Sequence, residues 1–546
     1  MHSSSGKRFF GRLLVALFLL GLIVSVGLAA KRKDPKPIGD KDKPWYKGRE
    51  NLEKYFVQKG DLPTAPLLDY SQDCMLCHNL YYEQWWNSGH SQSYNNQFFQ
   101  DAWQYYREWW LHETSTRKDW AKMGKIDGSS KKGMHEQPER ALAISKTDCL
   151  SCHAPSINAT IKYTDDLELR NILLAMREGY IPEWEDIVSG RVDDSLRFDK
   201  GSTRYDELQE EPSLDIAMRK QVRFMQRISD YTKDGISCDF CHTVTRLSHV
   251  NERGDDLHRM HNLNYSLNFE HRFGMKKWGS IEETPTASHT IQFSPVYKQS
   301  EFCASCHQAV NDFGVKVMDT YNEWKYSQWA RDGITCQNCH MPEFRSVVSK
   351  HGPERSDAHN HSMLGVGDLA FMQTAADVEV EGERYDDYVD AVVRVINNGT
   401  GHSLPTGKPF RRLVLVVRAE DESGTVFWDA RQINAEPGYL SALPDGYWKT
   451  QGDYPVFQRV VGSSVPNPYK DGEEVPFWSA DYVISDTRLK ANETREFHFR
   501  IPVEEVPGSV FVSAQLFYRQ ANSKFGEMFN LADYPVRIAG YALEIS

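Results

Sequence analysis

The chain has 546 residues, more than one ordinary domain needs, so we expect two or three structural units. Its net charge is -12 and its pI is near 5.9. This mildly acidic balance argues against nucleic acid as a partner.

An apolar segment near the N-terminus indicates the compartment. Leu13–Ala30 carries no charge and has basic residues on both flanks. Its length favours a retained single-pass membrane anchor, and the alternative is a cleaved secretory signal with Gly27 and Ala29 at its exit. Residues 31–50 are charged and contain proline, so we predict a solvated tether there. Residues 1–50 are therefore assigned as an anchor or signal followed by a tether.

All ten cysteines belong to five copies of the motif CxxCH. The copies are Cys74, Cys77 and His78; Cys149, Cys152 and His153; Cys238, Cys241 and His242; Cys303, Cys306 and His307; and Cys336, Cys339 and His340. A redox dithiol needs no histidine after its second cysteine, and a disulfide framework would not repeat one spacing. Zinc knuckles work in pairs, and five is an odd number. The pattern predicts five covalently attached haem c groups, each with the adjacent histidine as its proximal iron ligand.

Residues 51–370 carry every motif and most of the histidines. Helical candidates in this region include Asp101–Met123 and Ser213–Gly235. Because little protein surrounds each cofactor, the porphyrins would form much of the core. We therefore predict a mostly α multihaem cytochrome c domain with little regular sheet. Since c-type haem is attached outside the cytoplasm, this domain is expected to face the periplasm from the inner membrane, or to be soluble in the periplasm or secreted if the signal is cleaved.

The pattern changes after about residue 375. Short β-branched and aromatic runs such as DAVVRVINNG and GSVFVSAQLFYRQA are separated by turn residues. This pattern is typical of an antiparallel β-sandwich, so residues 375–546 are predicted to form an all-β domain. The segment contains no cysteine and would carry no covalently attached haem.

The second axial ligand of each iron separates electron carriers from catalysts. The sequence has 19 histidines. We set aside the five proximal ones, and also His2, His402 and His498 because they lie outside the haem region. Eleven candidates remain, enough for five irons: His90, His112, His135, His249, His258, His261, His271, His289, His351, His359 and His361.

The chain resembles the multihaem cytochromes c of the cytochrome c-554 type over roughly residues 73–365. The resemblance lies in EQWWNSGHS, in SHTIQFSPVYKQSEFCASCH, in YNEWKYSQWARDGITCQNCHMP and in HNHSMLG. It implies that His90, His289, and either His359 or His361 are distal ligands. NNGTGHSLPTGKPFRR, residues 397–412, also looks like the opening of a β-domain attached to some of these cytochromes. Five motifs and a long β-domain depart from the four-haem members.

The remaining two distal positions are assigned by location alone. His249 follows the third motif closely, and His258 and His261 stand one helical turn apart. We rank His249 and His261 first, and then His258, His112 and His135.

Three functions fit this pattern. The first is electron transfer between redox partners, such as a quinol-linked or terminal oxidoreductase, through closely spaced haems. The second is a multihaem enzyme that acts on nitrite, hydroxylamine or sulfite at one open haem, although the CxxCK motif that often marks ammonia-forming nitrite reductases does not occur. In the third, the β-domain docks the haem region onto a partner or into an oligomer. We expect an electron-transfer protein rather than a catalyst.

Overall fold

The computed structural model describes residues 71–103, 105–106, 149–156, 159, 234–247, 265–267, 276–282, 289–311, 313–430, 456–464, 473–521, 523–529 and 535–546. The predicted anchor and tether, residues 1–50, lie outside these ranges. Within the ranges, no helix is both long and apolar enough to cross a bilayer. The described residues all belong to one compact unit.

Each CxxCH motif lies on or beside one or two turns of helix. The helices are α1 Ser71–Met75, α2 Asn79–Trp86, α3 Leu150–His153, α4 Cys238–His242, α5 Glu301–His307, α6 Thr320–Lys325, α7 Gln328–Arg331, α8 Cys336–His340, α9 Leu369–Met372 and α10 Ser523–Met528. In the first motif, the His78 N–H donates to the Cys74 carbonyl at 2.9 Å, and His153 donates to Cys149 at 3.0 Å in the second. Because residues i and i+4 share one face of a helix, the turn places the first thiol and the imidazole on the same side.

The motif-bearing region also contains four two-stranded sheets in its described part. They pair β1 Val244–Leu247 with β2 Tyr265–Leu267, β3 Lys276–Gly279 with β4 Thr290–Phe293, β5 Ala309–Val310 with β6 Lys316–Met318, and β7 Glu343–Val347 with β8 Glu354–His359. The prediction of a mostly α haem domain with little regular sheet is therefore wrong. A haem motif needs only a short helix, and the extended segments between motifs pair their backbone N–H and C=O groups as ribbons.

The chain after residue 376 forms two antiparallel sheets. A three-stranded sheet has the order β15-β10-β9, and a six-stranded sheet has the order β14-β13-β11-β16-β17 with β12 paired to β11. The strands are β9 Asp377–Arg384, β10 Tyr388–Ile396, β11 Arg412–Glu420, β12 Val426–Asp429, β13 Val456–Gly462, β14 Tyr482–Asp486, β15 Thr494–Pro502, β16 Val510–Arg519 and β17 Val536–Ile545. Alternate residues of β10 are buried, as expected for a strand with one face on a core.

One hydrophobic core joins these two sheets and reaches back toward the motif region. Val393 of β10 and Leu516 of β16 belong to this core, and Met372 of α9 packs against it. The buried Asn311 side chain donates to the carbonyls of Phe477 and Ala480 at 2.8 and 2.7 Å. Residues before and after the boundary predicted between residues 370 and 375 therefore contact each other. The division into separate domains stays a prediction.

Candidate metal centres

The cysteines of different motifs lie next to each other. None of the ten forms a disulfide. Three pairs of cysteines from different motifs are neighbours: Cys74 with Cys238, Cys152 with Cys306, and Cys303 with Cys336. The hydrogen bond to the neighbouring thiol, together with burial, raises the pKa of Cys74, of Cys303 and of Cys306. The contacts join motif one to motif three, and motifs two and five to motif four.

Four of the five motif histidines face a second imidazole. The distances between ring centroids are 6.1 Å for His78 and His289, 6.1 Å for His307 and His90, 6.2 Å for His242 and His361, and 6.3 Å for His340 and His402. An iron with a bond of about 2 Å to a nitrogen on either side holds two trans imidazole centroids about 6 Å apart. The spacing of each pair therefore fits a metal bound between two histidines.

The ring planes differ from pair to pair. The interplanar angle is 88° for His90 and His307, and 16° for His242 and His361. The other two pairs stand at 32° and 17°. One pair is therefore nearly perpendicular, and the other three lie closer to parallel.

Backbone carbonyls fix the orientation of many of these rings. Four motif histidines have Nδ1 next to a backbone carbonyl. The distance is 2.9 Å from His78 to Val348, 2.8 Å from His153 to Ser93, and 2.7 Å from His242 to Trp278. The Nδ1 of His340 contacts the Leu364 carbonyl. The Nδ1 of His361 lies 2.7 Å from the His359 carbonyl. A ring that donates from Nδ1 leaves the lone pair of Nε2 for a metal.

The imidazoles are held in the neutral form that a metal requires. Burial lowers the pKa of His90 to about 4 and the pKa of His153, His307 and His361 to about 3. The surface of His307 is nevertheless exposed.

The second motif faces an amine instead of an imidazole. The Nζ of Lys408 lies 3.3 Å from the Nε2 of His153. Both side chains line a cavity, together with Cys149 and Cys152. The cavity walls are mainly aromatic and include Phe99, Trp103, Phe410, Phe477 and Trp478. Flat apolar walls beside two thiols and an imidazole fit a porphyrin.

The structure brings together some of the predicted distal histidines and separates others. His90, His289 and His361 each face a motif histidine, whereas His359 does not. The Nδ1 of His359 lies 2.9 Å from the Met341 carbonyl, and its Nε2 lies 3.8 Å from a carboxylate oxygen of Glu343. Of the two alternatives in HNHSMLG, His361 is therefore the one whose ring faces a motif histidine among the described residues. The remaining predicted distal residues, His249 and His261, lie outside the described residues.

Two residues that face the motif histidines were missed from the sequence. His402 was set aside because it lies beyond the last motif, and lysines were not considered. Both His402 and Lys408 belong to the segment HSLPTGKP, which directly precedes β11. Its two prolines, its glycine and its position between the core strands β10 and β11 were the available signal.

An acidic side chain supports the segment that carries His402. An Oε2 atom of Glu323 accepts from the Ser403 N–H at 3.2 Å and from the Thr406 hydroxyl at 2.6 Å. Its other oxygen pairs with Arg488, and both members of this ion pair are 9% exposed. Helix α6 of the motif region therefore holds the segment in place from one side, and the strand region holds it from the other.

No family model matches the chain, and no curated protein matches it. Among solved structures, it is similar to the crystal structure of a penta-heme cytochrome c552 from Thermochromatium tepidum. The two share 18% sequence identity with a TM-score of 0.53, over 88% of this chain and 100% of that chain. At this identity the likeness shows a shared fold, and the chain therefore has the fold of a multihaem cytochrome c.

Proposed function

We propose that this protein is a c-type cytochrome with five covalently attached haems, which passes electrons between redox partners. The cysteines of each CxxCH motif would form the two thioether bonds, and the motif histidine would be the proximal ligand. Each bound haem would supply an iron that exchanges one electron at a time. The protein would supply the ligands, the spacing and the exclusion of water.

The facing imidazoles carry this proposal. When both axial positions of an iron are filled by histidine, no position is open for substrate, and the iron is suited to electron transfer. Four motif histidines have a second imidazole at 6.1 to 6.3 Å. His289, His90, His361 and His402 are therefore the distal ligands that we assign to motifs one, four, three and five.

The thiol contacts support a continuous electron path. Because the hydrogen-bonded thiols belong to different motifs, haems attached through them would be neighbours. The contacts Cys74–Cys238, Cys152–Cys306 and Cys303–Cys336 connect motif one with three, and motif four with both two and five. A further electrostatic interaction between Cys241 and Cys306 connects motif three with motif four. All five motifs thus belong to one connected network that branches at motif four.

The proposed location follows from the chemistry of attachment and from the N-terminal sequence. Haem c is attached outside the cytoplasm, and Leu13–Ala30 is long and apolar enough to act as an anchor. We therefore place the protein at the periplasmic face of the inner membrane, with a quinol-linked or terminal oxidoreductase as its redox partner.

The number of covalent haems tests the proposal. Denatured full-length protein should retain its haem through acid-acetone extraction, and its intact mass should exceed that of the polypeptide by five haem groups. The oxidised native protein should be low-spin at the four irons that lie between histidine pairs. Fewer than five retained haems, or high-spin iron at several sites, would contradict the proposal.

One feature would favour an enzyme over an electron carrier. The motif at His153 is the one that faces no imidazole among the described residues, and it borders the aromatic cavity. If any of these irons binds a small nitrogen or sulfur oxyanion, it should be this one. Turnover of nitrite, hydroxylamine or sulfite that is coupled to a spectral change at a single haem would establish this second function.

A further inference from the structure

Lys408 occupies the place that a distal histidine has in the other four centres. The Nδ1 of His153 is directed to the Ser93 carbonyl at 2.8 Å, and this leaves Nε2 on the side of Lys408. The Lys408 Nζ is 3.3 Å from that Nε2. The two nitrogens are at hydrogen-bonding distance, beside Cys149 and Cys152 in the lining of the same cavity.

The surroundings of the amine are apolar. Lys408 is half-buried and lines the cavity beside Phe410 and Phe477, and its Nζ lies 5.7 Å from the centre of the Phe477 ring. Among the described residues, no carboxylate lies within ion-pairing distance of this Nζ. The polar partner that the described residues give this amine is the imidazole nitrogen of His153.

The backbone before Lys408 is built for this position. Gly407 has a φ of 87°, in the left-handed region, and a Cβ at this residue would lie 2.8 Å from an Arg411 side-chain nitrogen. That Arg411 side chain donates to the Thr406 carbonyl at 3.1 Å. With Thr406 also bound to Glu323, the turn ahead of the lysine is fixed at several points.

The same segment serves two centres. His402 faces His340, and Lys408 lies six residues later and faces His153. Since His402 has the spacing of an iron ligand, a second ligand from the same fixed segment needs no further loop to be ordered. The segment between β10 and β11 therefore faces both motif two and motif five.

We propose that Lys408 is the sixth ligand of the iron held by Cys149, Cys152 and His153. This assignment rests on the proposed function, since it requires a haem at the second motif. It gives the protein four centres with two histidines and one with a histidine and a lysine. Amines are strong-field nitrogen ligands, so this fifth iron is low-spin as well.

The test uses full-length, haem-loaded Lys408→Ala protein, examined in the oxidised state by electron paramagnetic resonance and by absorption. We expect one haem to change from low-spin to high-spin, while the intact mass still shows five haems. Butylamine, a small amine that fits the space left by the side chain, should restore the low-spin state. Lys316→Ala is the matched control, because it removes an exposed lysine from β6, whose Val317 and Met318 line the same cavity. It should leave every centre unchanged.

A second variant tests the assignment if the alanine protein does not fold. Lys408→Met keeps the length of the side chain and replaces the nitrogen donor by a thioether, so one haem should acquire the far-red absorption of a methionine-ligated iron. Unchanged spectra in both variants, with five haems present, would overturn the assignment. So would a high-spin haem in the wild-type protein that persists unaltered in Lys408→Ala. Fewer than five haems in the wild-type protein would instead contradict the proposed function.

Discussion

Two regions of the molecule are built on one plan. We call residues 71–90 with 235–242 the first module, and residues 300–329 with 333–340 the second module. Each begins with the pattern SxxCxxCH, continues with YxxW, and reaches a second motif through GI followed by Ser or Thr and Cys. Each module therefore carries two haem motifs and the same short patterns in the same order, although the spacing between the patterns differs.

The contacts of the first module show what this plan stabilises. The Ser71 hydroxyl oxygen accepts from the Cys238 N–H at 2.9 Å, and the Trp85 indole N–H donates to the Ile236 carbonyl at 2.8 Å. Together with the thiol contact between Cys74 and Cys238, these bonds hold the two motifs against each other.

The second module repeats these contacts. Ser300 accepts from the Cys336 N–H at 3.0 Å, and Trp324 donates to the Ile334 carbonyl at 2.8 Å. Its thiol contact joins Cys303 to Cys336. The glycine before the second motif has a positive φ in both modules, 61° at Gly235 and 77° at Gly333.

One position differs and shows how the modules are connected. Five residues after the tryptophan, the first module has His90 and the second has Trp329. His90 leaves its own module and faces His307 of the second. The Trp329 indole instead lies 3.2 Å from the side-chain oxygen of Asn492, in the strand region. The same offset thus provides an imidazole that faces the other module in one case and a contact with the strand region in the other.

Removal of the ligand that joins the modules should have the largest effect. In His90→Ala, the iron of the fourth motif would lose its distal imidazole, and we expect one low-spin centre to become high-spin. It should be the centre with perpendicular ring planes, which gives a strongly anisotropic low-spin resonance. His359→Ala is the control, since His359 faces no motif histidine. Equal spectra for the two variants would contradict the pairing of His90 with His307.

In each module, the residue before the tryptophan accepts a hydrogen bond from the backbone at or beside a histidine that faces a motif histidine. The Gln84 amide oxygen accepts from the His361 N–H at 3.0 Å, and Glu323 accepts from the Ser403 N–H at 3.2 Å, beside His402. Glu323→Ala also leaves the buried guanidinium of Arg488 without this partner, so we expect a loss of about 3 kcal/mol of unfolding free energy.

Gln84→Ala breaks only a neutral hydrogen bond, and we expect a loss of about 1 kcal/mol. Denaturant unfolding of haem-loaded Gln84→Ala and Glu323→Ala measures the two losses of unfolding free energy. A loss for Gln84→Ala that equals or exceeds the loss for Glu323→Ala would show that the Glu323 ion pair adds nothing to the second module.

Substitution of Trp85 and of Trp324 should change the unfolding free energy by more similar amounts. Trp85→Phe and Trp324→Phe each leave a carbonyl without its indole donor. We expect each substitution to lower the unfolding free energy by about 1 kcal/mol. Trp85 is 3% exposed whereas Trp324 is half-buried, so the loss should be larger for Trp85. Denaturant midpoints of the haem-loaded proteins measure this difference. A larger loss for Trp324 would mean that the second module depends more on this contact than burial indicates.

The smallest effect should be a pH dependence at the strand side of the second module. Burial raises the pKa of Asp486, but the hydrogen bond from Arg488 and the charges of Arg488 and Arg459 outweigh it, so the pKa of Asp486 is lowered. A lowered pKa stabilises the folded protein above the unfolded value, near 4. This contribution is lost as pH falls through the folded value. Asp486→Asn should therefore be less stable than wild type at neutral pH, and the difference should shrink in acid. A constant difference would contradict the ion pair.

The sequence was sufficient to predict the CxxCH turns and their donor atoms. It was insufficient to predict which residue faces each motif histidine. CxxCH defines a helical turn and its donor atoms, so the ten cysteines and five proximal histidines followed directly from spacing. Distal partners come from segments far along the chain, as His78 and His289 illustrate. His361 was separable from His359 only by the imidazole of His242 that faces it. His402 and Lys408 were missed because position along the chain was used as a guide to position in space.

The strand content of the motif region was missed for a different reason. Segments such as Glu343–Val347 and Glu354–His359 contain charged residues and no run of alternating apolar residues that would mark a strand in the sequence. They pair with each other because the chain reverses between them and their backbone groups need partners. The long strands after residue 376 have β-branched residues in alternation, and this pattern is visible without the structure.

The most direct test of the whole account is the electron paramagnetic resonance spectrum of the oxidised, full-length protein, quantified against its haem content. We predict that all five irons are low-spin, with one strongly anisotropic centre from His90 and His307 and more rhombic signals from the pairs whose rings lie closer to parallel. A substantial high-spin signal in the native protein, together with its perturbation by nitrite, hydroxylamine or sulfite, would contradict an electron carrier with every axial position filled.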